Sequence, residues 1–211
     1  MLTCTKGYVC FMKTMSDVLS YFEHSFQLLN NRYFQGFLPK TVVTVQSTLK
    51  SYGHASVQKI WSGPTEHYYE INMSADYLDR DPEDIVATLL HEMIHVYCRE
   101  QEIAEISRNG TYHNKRFKLE CEKRDLFVEK MDQYGWAATS ATPAFQTFIK
   151  ENQLDQQLPL VRTTRTKKKT ASQKKQSSRK YVCPSCETII RATSEVNVIC
   201  GKCHAQFLIE N

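Results

Sequence analysis

The stretch DPEDIVATLLHEMIHVYCRE, residues 81–100, decides how the rest of the chain is read. Asp81 supplies an N-cap oxygen, Pro82 suits the first helical position, and Glu83 and Asp84 sit where the helix dipole favours negative charge. Ile85, Val86, Leu89, Leu90, Met93, Ile94 and Val96 line much of the circumference, which predicts a helix buried on most sides. An apolar helix has little reason to carry His91, Glu92 and His95 within one turn unless they share a ligand. Residues four apart lie on one face, so both imidazoles reach one ion. Glu92, one step round, can take a proton from a water on that ion without ligating it. Zinc lowers the pKa of such a water to about 7 and polarises a carbonyl, which is the apparatus for hydrolysing a peptide bond. The longer pattern with Gly and His soon after the motif is absent, because Cys98 and Gln101 stand at those positions.

Upstream, Val18, Leu19, Phe22, Phe26 and Leu29 recur at three- and four-residue spacing and predict a helix over 16–34, capped by Ser16 or Asp17. The β-branched run 41–47 and the stretches 55–62 and 68–74 read as strands, with Ser62-Gly63-Pro64 as a turn. Together they predict a small, mainly antiparallel sheet. Downstream, Asn109-Gly110 marks a turn, and 113–131 reads as a helix with Phe117, Cys121 and Leu126 inward. Residues 137–160 fit neither period.

A catalytic zinc takes three protein ligands and keeps one position open. His113, just after the turn, leads as the third, with Glu120 and Glu122 as rivals; Glu102 and Glu105 read as a solvated continuation of the motif helix. Tyr97, Tyr112 and Tyr134 are candidates for steadying a developing oxyanion.

The 211-residue chain is 41% hydrophobic, enough for a globular core, with no apolar run approaching the ~18 residues of a membrane span. The N-terminus lacks an apolar h-region, so an intracellular, cytoplasmic location is expected; Met12 and Met15 are alternative starts. Cys4, Cys10, Cys98 and Cys121 are scattered, whereas Cys183-Pro-Ser-Cys186 and Cys200-Gly-Lys-Cys203 form two knuckles thirteen residues apart. That spacing predicts a four-thiolate structural zinc, with Gly201 allowing the tight turn and His204 as a lesser rival to Cys203. The 31 residues of 181–211 are too few to build a core without such a staple. Residues 161–180 hold nine Lys or Arg and no acid; against a net charge of +4, this leaves −5 elsewhere. The segment reads as a disordered linker whose Lys167, Lys168, Lys169, Lys174 and Lys175 would neutralise phosphates without regard to sequence. Tyr181, Phe207 and Arg191 could add a stacking face.

HEMIHVYC followed by GTYHNKRF resembles the SprT-like metalloprotease family, whose eukaryotic branch includes spartan. The resemblance covers roughly 16–130 and extends to the terminal zinc ribbon. It implies a three-histidine zinc site at His91, His95 and His113, with Glu92 as the base. The expected architecture is an α+β, zincin-like catalytic domain at 16–160, after an extension at 1–15, then the linker 161–180 and the ribbon 181–211. The expected cofactors are one catalytic and one structural zinc. The expected activity is endopeptidase cleavage of protein substrates, with DNA as a sequence-independent partner, no membrane partner and an undetermined oligomeric state. Two alternatives stand beside it: a nucleic-acid-binding zinc protein with a regulatory or scaffold role, and a peptidase of one specific regulator.

Overall fold

The computed structural model describes residues 14–48, 50–108, 110–158, 160, 162 and 178–210. Cys4, Cys10, Met12 and the five linker lysines lie outside them. The chain forms two compact units, 1–165 and 166–211.

In the first unit, α1 (Met15–Phe34) is followed by β1 (Thr41–Gln46), β2 (Gly53–Ala55), β3 (Trp61–Ser62) and β4 (His67–Ser74). The cap of α1 is Thr14, not Ser16 or Asp17. Asp17 instead sits at the third helical position and completes a capping box, its carboxylate accepting from the Thr14 amide at 2.9 Å. β4 is the central strand, buried along most of its length. It pairs antiparallel with β2 and β3 but parallel with β1, so the sheet is mixed. The strand expected over 55–62 is interrupted at 56–60. There Ser56 still exchanges hydrogen bonds with Glu70, and its carbonyl accepts from Arg99 at 2.9 Å, which draws the chain off the ladder towards the motif helix.

That helix, α2 (Pro82–Glu100), is capped by Asp81 as expected. It touches α1, β2 and β4, and also three elements that follow it: α3 (Lys115–Glu122), β8 (Gly135–Ala141) and α4 (Pro143–Glu151). Ile85, Val86, Leu89, Leu90, Met93, Ile94 and Val96 are at most 1% exposed, so the apolar residues need no single face. Each such side chain contributes roughly 1.5–3 kcal/mol by leaving water.

The second sheet runs β5–β6–β8–β7, with β5 at Ile106–Ser107, β6 at Tyr112–His113 and β7 at Leu126–Met131. The helix expected over 113–131 therefore ends at Glu122. Asp125 takes a left-handed φ of 58°, its carbonyl binds Thr142 through both amide and hydroxyl, and LFVEKM pairs with β8 as a strand. Phe117, Cys121 and Leu126 are all buried, though they lie on two elements. Within 137–160, Thr142-Pro143 opens α4, and Leu154 and Leu158 join the core. Among the described residues no helix is long and apolar enough to cross a membrane.

The second unit holds a three-stranded antiparallel sheet, β10–β9–β11, with β9 at Arg179–Val182, β10 at Ile189–Ala192 and β11 at Leu208–Glu210. Its small core is Tyr181, Cys183, Cys200 and Phe207. Tyr181 and Phe207 are 4% and 8% exposed, so neither offers a stacking face.

Candidate metal centres

Among the described residues, two clusters place metal-binding atoms within 4.8 Å of one another. The first is His91, His95 and His113. The α-helical rise brings the first two onto one face, with ring centroids 5.0 Å apart. His113 arrives from β6, with its ring 5.2 Å from His91 and 5.0 Å from His95. Phe117, one helical turn later and fully buried, stacks on His95 at 4.4 Å and meets His91 and His113 at 4.7 Å each. All three imidazoles thus share one aromatic floor.

Each ring ties its Nδ1 to an oxygen: Thr139 Oγ1 for His91 at 3.0 Å, Glu105 Oε1 for His95 at 3.3 Å, and the Tyr134 carbonyl for His113 at 3.2 Å. A carbonyl and a carboxylate only accept, so His95 and His113 carry their protons on Nδ1 and their lone pairs on Nε2. Those two Nε2 atoms lie 3.1 Å apart. Facing lone pairs repel unless a cation lies between them, and tetrahedral zinc holds its nitrogen ligands about 3.3 Å apart. Burial, then the neighbouring imidazoles, hold His91 well below the ordinary value; burial leads for His95 and His113 as well. Neutral imidazoles are the form that ligates metal. The residues present therefore fit a divalent metal of the zinc type.

Glu92 is 6% exposed and lies against β2. A Cβ on Gly53 would stand 3.2 Å from Glu92 Cγ and 3.1 Å from the Asn72 carbonyl, so the missing side chain makes room for the carboxylate. Burial pushes the Glu92 carboxyl up to about 8, against the opposing pull of Arg99 and the Ala55 amide.

The third imidazole depends on Gly135, which the sequence reading passed over. Gly135 has φ +67°, and a Cβ there would sit 2.2 Å from the His113 carbonyl oxygen. Only glycine permits this approach of β8 to β6. Gly135→Ala is expected to displace β6, lowering stability by about 2 kcal/mol or more and weakening metal binding at the histidines. Thermal melting and chelator competition would show it, and an unchanged affinity would refute the dependence.

The rival acids lie elsewhere. Glu120 pairs with Lys123 and Arg124, each at 2.7 Å, and Glu122 pairs with Lys118. Glu102 is exposed, but Glu105, expected to be solvated, is 6% exposed and faces His95. The chain turns back at Glu102, which has a left-handed φ of 54°, so Glu105 has left the helix. No periodicity signals such a partner; the Tyr134 carbonyl and Thr139 leave no side-chain pattern either. Of the tyrosines, Tyr97 packs among Phe34, Phe37 and Arg124, Tyr112 carries Arg108 on its ring, and Tyr134 acts through its backbone.

The second cluster is Cys183, Cys186, Cys200 and Cys203. Cys186 Sγ and Cys200 Sγ are 3.7 Å apart, near the roughly 3.8 Å that a tetrahedral four-thiolate zinc imposes. The left-handed residues are Glu187 (φ 58°) and His204 (φ 55°), each just after the second cysteine of its knuckle. The tight turns are therefore made there and not at Gly201, around which a Cβ would meet nothing. His204 is exposed and outside the cluster.

A model of the SprT-like family matches residues 22–131. No curated protein and no solved structure matches the chain. The matched region contains His91, Glu92, His95 and His113, and ends before the four clustered cysteines.

Proposed function

Because this chain belongs to the SprT-like family, we propose that it is a zinc-dependent endopeptidase acting on DNA-associated proteins, with His91, His95 and His113 holding the catalytic metal and Glu92 as the general base. The observation that carries this reading is the convergence of three neutral, outward-tethered imidazoles beside a buried carboxylate. Zinc, when bound there, supplies a Lewis acid for the scissile carbonyl and acidifies the attacking water. Thr139, Glu105 and the Tyr134 carbonyl keep the three rings from rotating. Glu92 takes the proton of the attacking water and passes it to the departing amine. Burial raises its proton affinity in the metal-free protein, and a bound dication beside it would draw that affinity back down. Arg99, which interacts with both Glu92 and Glu105, balances the buried negative charge.

The four cysteines are read as a structural ribbon with its own zinc, since all four positions are filled by thiolates. The cationic linker is read as a tether to DNA, in an intracellular, DNA-associated setting. Replacing Lys167, Lys168, Lys169, Lys174 and Lys175 by Gln is expected to weaken binding to every DNA sequence alike and to flatten its salt dependence. Binding isotherms at several salt concentrations would show this, and an unchanged slope would remove the linker from the interface. The function itself is tested by proteolysis of DNA-bound and free proteins, with and without DNA. Faster cleavage of the DNA-bound set is expected. Equal cleavage would leave a general peptidase, and none by the zinc-loaded protein would favour a scaffold.

A further inference from the structure

We propose that Glu105 is a positioning residue of the histidine metal centre, holding the His95 ring and the His113 hairpin together as one unit. The proposal rests on the reading of those imidazoles as a zinc site.

Three observations carry it. Glu105 is 6% exposed, and its Oε1 lies 3.3 Å from His95 Nδ1. A buried carboxylate is costly to maintain without partners, and here it faces a ligand candidate and stands near Arg99. Next, the backbone that carries Glu105 is bonded to the backbone that carries His113. The Glu105 carbonyl accepts from the Asn114 amide at 2.9 Å, Asn114 Nδ2 donates to the Ala104 carbonyl at 2.7 Å, and Ile106 pairs with His113 across β5 and β6. Asn114 also caps α3, accepting from the Arg116 amide at 2.8 Å, and α3 delivers Phe117 beneath the rings. One carboxylate therefore ties α2, which carries two imidazoles, to the hairpin that carries the third.

Finally, the three Nδ1 partners differ in kind. Tyr134 offers a neutral carbonyl and Thr139 a hydroxyl that can donate or accept; Glu105 alone is a carboxylate. An anionic acceptor fixes the Nδ1–H tautomer of His95 and makes its Nε2 a stronger donor to a cation.

The full chain would be titrated with cobalt(II), whose thiolate charge-transfer bands report the four cysteines separately from the d–d bands of an imidazole site. Glu105→Ala is expected to weaken the imidazole site about 10–100-fold, leaving the thiolate bands unchanged. Glu105→Gln, whose amide oxygen still accepts the His95 N–H, is expected to recover part of the loss. Wild-type affinity in Glu105→Ala would overturn the proposal. So would equal losses in both variants accompanied by a lowered metal-free melting temperature, which would mark a purely structural role. If Glu105→Ala fails to fold, Glu105→Gln decides: a weakened imidazole site in a folded protein supports the assignment, and an unchanged one refutes it. An absence of imidazole-site bands in the wild type would instead overturn the zinc-site reading, and this proposal with it.

Discussion

Glu92→Gln is expected to abolish peptide cleavage, by about 10²–10⁴-fold or more, while both zinc ions stay bound. Gln keeps the volume of Glu and one acceptor oxygen, so the room left by Gly53 is still filled. It cannot take a proton from water or return one to the leaving amine. The metal would be retained because the clustered ligand atoms are those of the three imidazoles, not of Glu92. A second consequence follows for the metal-free protein. The Glu92 carboxyl is raised from 4.5 to about 8 by burial, so the unfolded chain releases that proton more readily than the folded one. Stability is thus undiminished below 4.5 and falls as pH rises towards 8, beyond which the loss levels off. Near pH 7 the loss is on the order of 3 kcal/mol. Glu92→Gln is therefore expected to raise the metal-free melting temperature at neutral pH, with the gain fading as pH falls. Peptidase assay, metal analysis and thermal melting read the three parts separately. Wild-type cleavage by the variant would remove Glu92 from the mechanism.

His113→Ala is expected to lower the zinc content of carefully purified protein from two ions per chain to one. His91 and His95 alone would leave two vacancies on the ion, and two imidazoles on one helix rarely retain zinc against a chelator. The variant also opens space over Phe117, which touches all three rings. The ion that remains should be lost only on mutation of Cys183 and Cys186. Glu120→Ala supplies the contrast. Its carboxylate is paired with Arg124, which is 6% exposed and lies over the Phe34 and Tyr97 rings. Removing it leaves a buried cation unpaired, at a cost of about 3–5 kcal/mol, but leaves zinc stoichiometry at two. Two zinc ions in His113→Ala, with one in Glu120→Ala, would reverse the ligand assignment.

Much of this was open to sequence reading because helical chemistry is local. Capping by Asp81, the Pro82 start and the i, i+4 pairing of His91 with His95 depend on a few consecutive residues, and α2 follows them. Cys183 with Cys186, and Cys200 with Cys203, are each drawn together by one short turn for the same reason. Family resemblance added His113, which local rules left in competition with Glu120 and Glu122.

What lay beyond the sequence depends on contacts between distant segments. LFVEKM can form a strand or extend a helix, and it becomes β7 because β8 lies beside it and Asp125 breaks the preceding turn. β1 flanks β4 in parallel and β2 flanks it antiparallel, pairings between separated segments that no short-range spacing records. Glu105 looks like a surface acid until the chain turns back at Glu102, and Gly135 looks like an ordinary turn residue until the His113 carbonyl is found against it. Sequence alone determined which groups could bind metal, since that is written in residue type and short spacing. Tertiary structure alone decided which oxygens orient the three rings, because a hydrogen bond across the fold leaves no periodic trace in the chain.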